Sequence, residues 1–543
     1  MSMIFGIFNR DGSPVEKTDI DDMYNAISYY PHEKYNYKII ENVVFGHLLT
    51  FNTPESLFEE QPIFFNDRNI LFVFKGRIDN RKELCNKLNI NLKDNLTDGE
   101  IALKSWLEWG EKSCDKILGD WSFASFNFKT QEFFISRDHH GYTAINYYYD
   151  EKRFIFASSI KSILNLNFIK KELNIKSVIN TLAIFPEKKM DKSFYKNIYK
   201  LNPAQYIKCN REKFLLQRYW YPESISINKN KKFDEYVEEF YCIFENAVKD
   251  RLRSYKPICS MLSGGLDSGT VAYTASMLMK EQEKKLRTYS HVPLYEVSKN
   301  IHDLRFGDEK PYIESTVKAS GNIEPIYLNS ENISVLEGMI KTNDVLNSPI
   351  HAGVNAYWLV DIMKTSSSDE FGAILTGEHG NATISFSGYE DTLSVNYLYN
   401  QIGLKRIVKK KLIKPIVKAI SPNLYRYLKK EPEISLETYS YINPELFDEI
   451  RNEMKKIDHD DKFDFKFSSH QEMCLKILMP SANPRCYFGG TFSDYYGIEM
   501  RDPTADKRVI EYILTIPNEI FFSKDGNNKQ IIRKMMKNKL PND

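Results

Sequence analysis

One stretch constrains the fold of this chain more than any other: Ser260-Met-Leu-Ser-Gly-Gly-Leu-Asp-Ser-Gly269. It leaves a short apolar run at 257–262, read as a buried strand, and enters an apolar-periodic run at 268–280, read as a helix. The turn between them presents backbone N–H groups at the positive end of a helix dipole, an arrangement that binds anions. Gly264 and Gly265 let the backbone approach a phosphate with no Cβ in the way. Ser263 and Ser268 add hydroxyl donors. Asp267 is unsuited to touch phosphate directly, so its presence points to a divalent cation between the two and the loop suits pyrophosphate with Mg2+. The GxxxxGK[ST] pattern of a Walker A loop is absent.

The chain changes texture along its length. The first 220 or so residues read mainly as strands, with YNYKIIENVVFGHLL, NILFVFKGRIDNR and DWSFASFNFKTQEFFISRD setting apolar runs between turn signals. Two helical stretches interrupt them, at 81–88 and 99–109, and Asp98 is expected to cap the second. The polar ESISINKNKKFDE stretch after Tyr221 marks a boundary, giving expected domains at 1–222 and 223–543. Beyond it helices at 233–252, 268–280 and 311–319 alternate with strands at 257–262, 288–292 and 324–328. That alternation implies a parallel sheet with right-handed crossovers. The last 150 or so residues read as mainly helical.

Composition excludes several classes. A net charge of +1 with 27% charged residues gives no broad surface for a nucleic acid. Lys409, Lys410 and Lys411, beside Lys405 and Arg406, read as a solvated helix face. No apolar run is long enough to span a membrane, and the N-terminus lacks the basic segment of a signal peptide. The seven scattered cysteines form no CxxC pair, so neither a zinc site nor a disulfide framework is expected, and a cytoplasmic location is.

SGGLDS at 263–268 resembles the PP-loop of the N-type ATP-pyrophosphatases, and other segments resemble the asparagine synthetase branch of that superfamily. Leu375-Thr-Gly-Glu-His-Gly-Asn381 resembles the second active-site loop of asparagine synthetase B, usually SGEGSDE, and Arg501-Asp-Pro-Thr-Ala-Asp506 has the spacing of its RxPFLD element. The resemblance implies that Glu378 is a general base, that Thr376 and Gly377 hold the adenylate, and that Leu262 and Val292 cradle adenine. It places Asp267 and Asn381 at Mg2+, Asn381 with an amide where the family has an acid. Arg501 would shape the catalytic site, expected as an ion pair with Asp506. Asp308 and Glu309 match an acidic pair after the second strand, which a solvated helix start explains as well. Family members carry a phosphate-contacting lysine beyond the point matched by Leu540-Pro541. Lys524, Lys529 and Lys539 do not stand there and are read as surface charge.

The first domain resembles the class II glutamine amidotransferases through Gln61-Pro62, KGRIDN (75–80), TDGE (97–100), LGDWSFASFN (118–127) and SRDHHGYTAINYYY (136–149). The resemblance covers nearly the whole chain. It implies a two-domain α/β and α+β fold, with an N-terminal Ntn-type amidotransferase-like β-sandwich with helices. The C-terminal part would be a Rossmann-like parallel-sheet ATP-pyrophosphatase domain with a helical extension. A glutaminase of this class needs a processed N-terminal cysteine whose own amine is the base. Ser2 stands there instead, and the first cysteine is Cys85. Lys75 replaces the oxyanion-hole asparagine of the family's NGEIYN, a loss worth about 10²–10³ in rate. The arginine of the usual RGPD element has no counterpart near 30–34. With Asp98 these residues form a degenerate site, and the domain is expected to be inactive as a glutaminase.

Without glutamine hydrolysis the amine must come from elsewhere. Two branches of the superfamily, β-lactam synthetase and the lasso-peptide macrolactam synthetase, use an amine already in their substrate. The first has tyrosine where Glu378 stands, whereas TGxxGNAxxS (376–385) and SPIHAGVNAYW (348–358) resemble the second. The expected function is an ATP- and Mg2+-dependent ligase that adenylates a carboxylate and joins it to an amine, with macrolactam formation in a lasso-type peptide as the leading reading. The alternatives are an asparagine synthetase and an impaired homologue acting as a scaffold. The expected partners are a peptide substrate and leader-peptide proteases or recognition proteins.

Overall fold

A computed structural model of the protein describes residues 2–182, 191–297, 307–350, 353–388, 393, 440–456, 485–523 and 527–541. The N-terminal part is a sandwich of two six-stranded antiparallel sheets. The first has Met3–Asn9 at its centre, flanked by Val43–Leu49 and Arg153–Ala157. The second centres on Glu132–Arg137 and Trp121–Asn127. Successive side chains on a strand point to opposite faces. Met3, Phe5 and Ile7 accordingly pack outward on the helices Lys17–Asn25 and Ile160–Leu164, while Ile4 and Phe8 pack inward against Leu71, Phe126 and Phe133 of the other sheet. The helices Arg81–Lys87 and Asp98–Trp109 cover the second sheet, giving four layers in which both sheets are buried on both faces. This is why the strands read as near-continuous apolar runs.

Thr97 is the N-cap of the helix Asp98–Trp109, not Asp98 as expected. Its hydroxyl accepts from Glu100 N (3.1 Å), and the Glu100 carboxylate accepts from Thr97 N (2.9 Å). The T-x-x-E spacing is the capping-box signature, which leaves Asp98 free for other partners.

The C-terminal part is a five-stranded parallel sheet in the order Ile323–Leu328, Leu286–His291, Ile258–Met261, Ala373–Leu375, Glu499–Arg501. The helices Phe233–Arg251, Leu266–Lys280 and Lys507–Thr515 pack on one face and Ala356–Ser368 on the other. Sequence order reverses between Ile258–Met261 and Ala373–Leu375, and an open α/β sheet binds ligands in the crevice beyond such a switch point. The loops that follow these two strands are SGGLDS and the segment carrying Glu378. Among the described residues no helix is long and apolar enough to cross a membrane, and no group of three metal-ligating side chains occurs. Cys85, Cys114, Cys209, Cys242 and Cys259 are free thiols. The basic run at 405–411, Lys524 and much of the stretch expected to be helical lie outside the described residues.

Candidate active site

The phosphate-type loop is tied to itself. Ser263 N donates to Ser268 Oγ (3.0 Å), the two hydroxyls lie 2.8 Å apart, and Gly265 N donates to Ser263 Oγ (3.2 Å). Gly264 N donates to the carboxylate of Glu309 (2.9 Å), so an anionic oxygen already sits on this loop, and one member of the acidic pair reaches it. Asp308 accepts from Lys310 N (2.9 Å) at the start of its own helix. Leu262 and Val292 stand just past the ends of neighbouring strands, their N–H groups engaged by Tyr289 O (3.1 Å) and Leu328 O (2.9 Å).

The second loop lies against the first. A Cβ on Gly377 would come within 2.9 Å of the Asp267 backbone, and one on Gly380 within 2.2 Å of the Asp267 side chain. Only glycine allows that approach. Thr376 N donates to Arg501 O (2.9 Å), and Glu378 is half-buried between Gly377 and the buried His379.

Asp267, like Thr376 with its Oγ1, leaves a buried polar atom at this junction without a partner. Its Oδ1 is buried with no hydrogen-bond partner, and burial raises its pKa although Ser385 and Lys529 pull it back down. Lys529 Nζ and Asn381 Oδ1 each lie 3.5 Å from Ser385 Oγ. A carboxylate, an amide oxygen and an ammonium thus gather at the SGGLDS turn. Lys529, read from sequence as surface charge, faces this site. A lysine preceding a short helix (Gln530–Met535) carries no local signal that it will.

His379 is held from two sides. Its backbone N–H and its Nδ1 each lie 3.0 Å from Asp502 Oδ2, and its Nε2 lies 2.8 Å from Nε2 of His140, a residue of the first domain. Arg501 is not paired with Asp506, contrary to expectation. Fully buried, it binds Glu499 (2.7 Å) and donates to the carbonyls of Arg251 (2.6 Å) and Arg253 (2.8 Å). Residues 499 and 501 share one face of a strand, whereas Asp506 caps the next helix and pairs with Arg251 (2.6 Å).

The residues expected to form a degenerate glutaminase site have been drawn into other bonds. The Ser2 hydroxyl accepts from Thr50 N (3.0 Å). Lys75, fully buried, turns to both carboxylate oxygens of Asp494 (2.7 Å) in the other domain. Beside it Arg77 binds Asp79 (2.7 Å), Asp120 (2.8 Å) and Glu499, and Asp98 binds Arg81 and Arg253 (2.8 Å). What remains near Ser2 is a cavity of about 10 Å³, lined by Ser2, His47, Asn52, Glu59, Gln61 and Asp98, with room for about one water. Glu59, missed by sequence reading, is part of its wall: the carboxylate accepts from Thr97 Oγ1 (3.1 Å), Gln61 Nε2 (3.0 Å) and Gly99 N (3.3 Å).

Burial, with the neighbouring Asp98 charge, pushes the Glu59 pKa from 4.5 up to about 7. Between these values the folded protein holds a proton that the unfolded chain has released, so this stabilisation is complete below pH 4.5 and is lost as pH rises through 7. Wild type is therefore expected to lose about 3 kcal/mol relative to Glu59→Ala between pH 4.5 and 8, read from urea unfolding of both proteins. Parallel pH profiles for the two would contradict it.

Residues 239–543 match the asparagine synthase family, and residues 1–220 match a glutamine amidotransferase domain. Asparagine synthetase (glutamine-hydrolyzing) 3 of Bacillus subtilis is 25% identical over 97% of this chain and 83% of that protein. The asparagine synthetase (glutamine-hydrolyzing) of Rattus norvegicus is 23% identical over 91% of this chain and 73% of that protein. Among solved structures, the glutamine phosphoribosylpyrophosphate amidotransferase of B. subtilis complexed with ADP and GMP covers 60% of this chain and 80% of its own, at 10% identity and a TM-score of 0.29. With an Ntn-type amidotransferase fold followed by a parallel-sheet ATP-binding domain, the chain belongs to the asparagine synthase family, and it is an ATP-dependent ligase that forms carbon–nitrogen bonds.

Proposed function

We propose that this ligase adenylates a carboxylate of a peptide and joins it to an amine of the same peptide, closing a macrolactam. The observation that carries the adenylating half is the unsatisfied Asp267 at the meeting of two loops, with Lys529 and Asn381 beside it. The choice of amine rests on the first domain, where the cavity beside Ser2 has room for about one water and Lys75 is committed to Asp494.

ATP lies with its phosphates at the 263–268 turn, where they take the place of the Glu309 carboxylate on Gly264 N, and its adenine against the backbone at Leu262 and Val292, with Thr376 and Gly377 flanking the α-phosphate. The substrate carboxylate attacks the α-phosphorus and the bond to pyrophosphate breaks. The charge on the leaving pyrophosphate is met by Lys529 and the positive end of the helix. Mg2+, held by Asp267 and Asn381, would offset the phosphate charge, and the unpartnered buried Oδ1 of Asp267 fits that use. The amine attacks the acyl carbon, AMP leaves, and Glu378 takes the amine proton. Arg501 holds the Thr376 backbone from behind. A prefolded peptide makes the second step intramolecular, with effective molarities that reach about 10⁵ M or more. Leader-peptide proteases or recognition proteins would deliver such a peptide.

A second reading, asparagine synthesis from aspartate, is favoured by the similarity to asparagine synthetases along 97% of the chain. ATP–pyrophosphate exchange separates the two. Macrolactam formation predicts exchange stimulated by linear peptides with a free N-terminus and an Asp or Glu side chain, and a product lighter by one water. Exchange stimulated by L-aspartate alone, with asparagine formed from ammonium, decides for the second reading. No exchange with any carboxylate would defeat both.

A further inference from the structure

His379 stands where the SGEGSDE pattern has glycine, directly after Glu378, and its ring reaches into the first domain. Asp502 fixes its tautomer. A carboxylate can only accept, so in a neutral His379 it is Nδ1 that carries the proton, given to Asp502 Oδ2 (3.0 Å), and Nε2 that accepts from His140 Nε2–H (2.8 Å). Both rings are buried, at 4% and 2% exposure, and meet nearly perpendicular with centroids 4.0 Å apart.

His140 itself sits on a braced turn. Asp138 Oδ1 accepts from the backbone N–H of His140 (3.0 Å), Gly141 and Tyr142 (3.2 Å), while its Oδ2 accepts from the Thr143 hydroxyl (2.9 Å). Tyr142 stacks on the His140 ring at 5.7 Å and donates to Asp502 Oδ2 (3.3 Å). The loop at 376–381 is thus clamped. Asp267 closes one side, its backbone against Gly377 and its side chain against Gly380, and a braced turn of the first domain closes the other.

We propose that His140 is a positioning residue for the amide-forming step: through His379 it sets the loop that carries Glu378, which makes the first domain a working part of the ligase site. This rests on the reading of Glu378 as the base that accepts the amine proton. A misplacement of about 1 Å at a reacting group costs on the order of 10²-fold in rate.

The test compares full-length wild type, His140→Ala and His140→Gln, the last keeping an N–H donor near the position of Nε2. Hydrogen–deuterium exchange of residues 376–387 is measured without ligand. Amide formed per AMP released is measured with L-aspartate plus ammonium chloride and with a linear peptide bearing a free N-terminus and a Glu side chain. In His140→Ala the loop is expected to exchange at least tenfold faster and the amide-to-AMP ratio to fall tenfold or more, with His140→Gln recovering most of both. Unchanged loop exchange overturns the clamp whatever the substrate. A faster loop with an unchanged ratio, or equal losses in the Ala and Gln variants, overturns the positioning role. Wild type inactive with every carboxylate overturns the ligase reading and, with it, the assignment of His140 to the amide-forming step.

Discussion

Asp267→Asn is expected to lower ATP–pyrophosphate exchange by about 10²–10³-fold while raising the melting temperature. The two effects have one cause. Asp267 is held with an unpartnered, buried Oδ1, and burial raises its pKa, so its negative charge destabilises the ligand-free fold. A group kept at the expense of stability is a group needed for function. Exchange kinetics and differential scanning calorimetry on the same preparation check both halves. An active Asn variant would remove Asp267 from the phosphate chemistry, and a less stable one would make it a structural residue.

Lys75→Asn restores the family's oxyanion asparagine and is expected to destabilise the protein by about 3–5 kcal/mol, because it leaves Asp494 buried without its partner. Desolvation acts against both partners, pulling Lys75 down and pushing Asp494 up, and only their pairing keeps them charged. Removing both together, in Lys75→Met with Asp494→Leu, is expected to be near neutral or stabilising. Urea unfolding of Lys75→Met, Asp494→Leu and the double variant gives the cycle. A loss in the double variant equal to the sum of the two single losses would show that the pair itself contributes nothing. The same Asn variant is expected to release no glutamate from glutamine, since the cavity beside Ser2, lined by Glu59, has room for about one water only.

The rewired interface explains where sequence reading stopped. KGRIDN was recognised as a departure from NGEIYN, yet nothing in it says that Lys75 and Arg77 would meet Asp494 and Glu499, more than 400 positions away. Long side chains choose partners only once two domains are docked, and periodicity carries no record of that choice. The expected Arg501–Asp506 pair failed for the same reason, whereas the misplaced cap at Asp98 was a local error that the T-x-x-E spacing could have prevented.

By itself the sequence determined the two-part layout, the parallel sheet and the glycine turn between its strand at 258–261 and the following helix. Each is encoded within a few residues, by alternation, by helical spacing, or by two glycines between a strand and a helix. Tertiary structure alone decided that Lys529 faces Asp267, that Glu59 lines the cavity beside Ser2, and that His140 reaches His379. These are meetings of side chains distant in sequence. They are fixed by which faces must be buried together and by where an unpaired charge can find its partner.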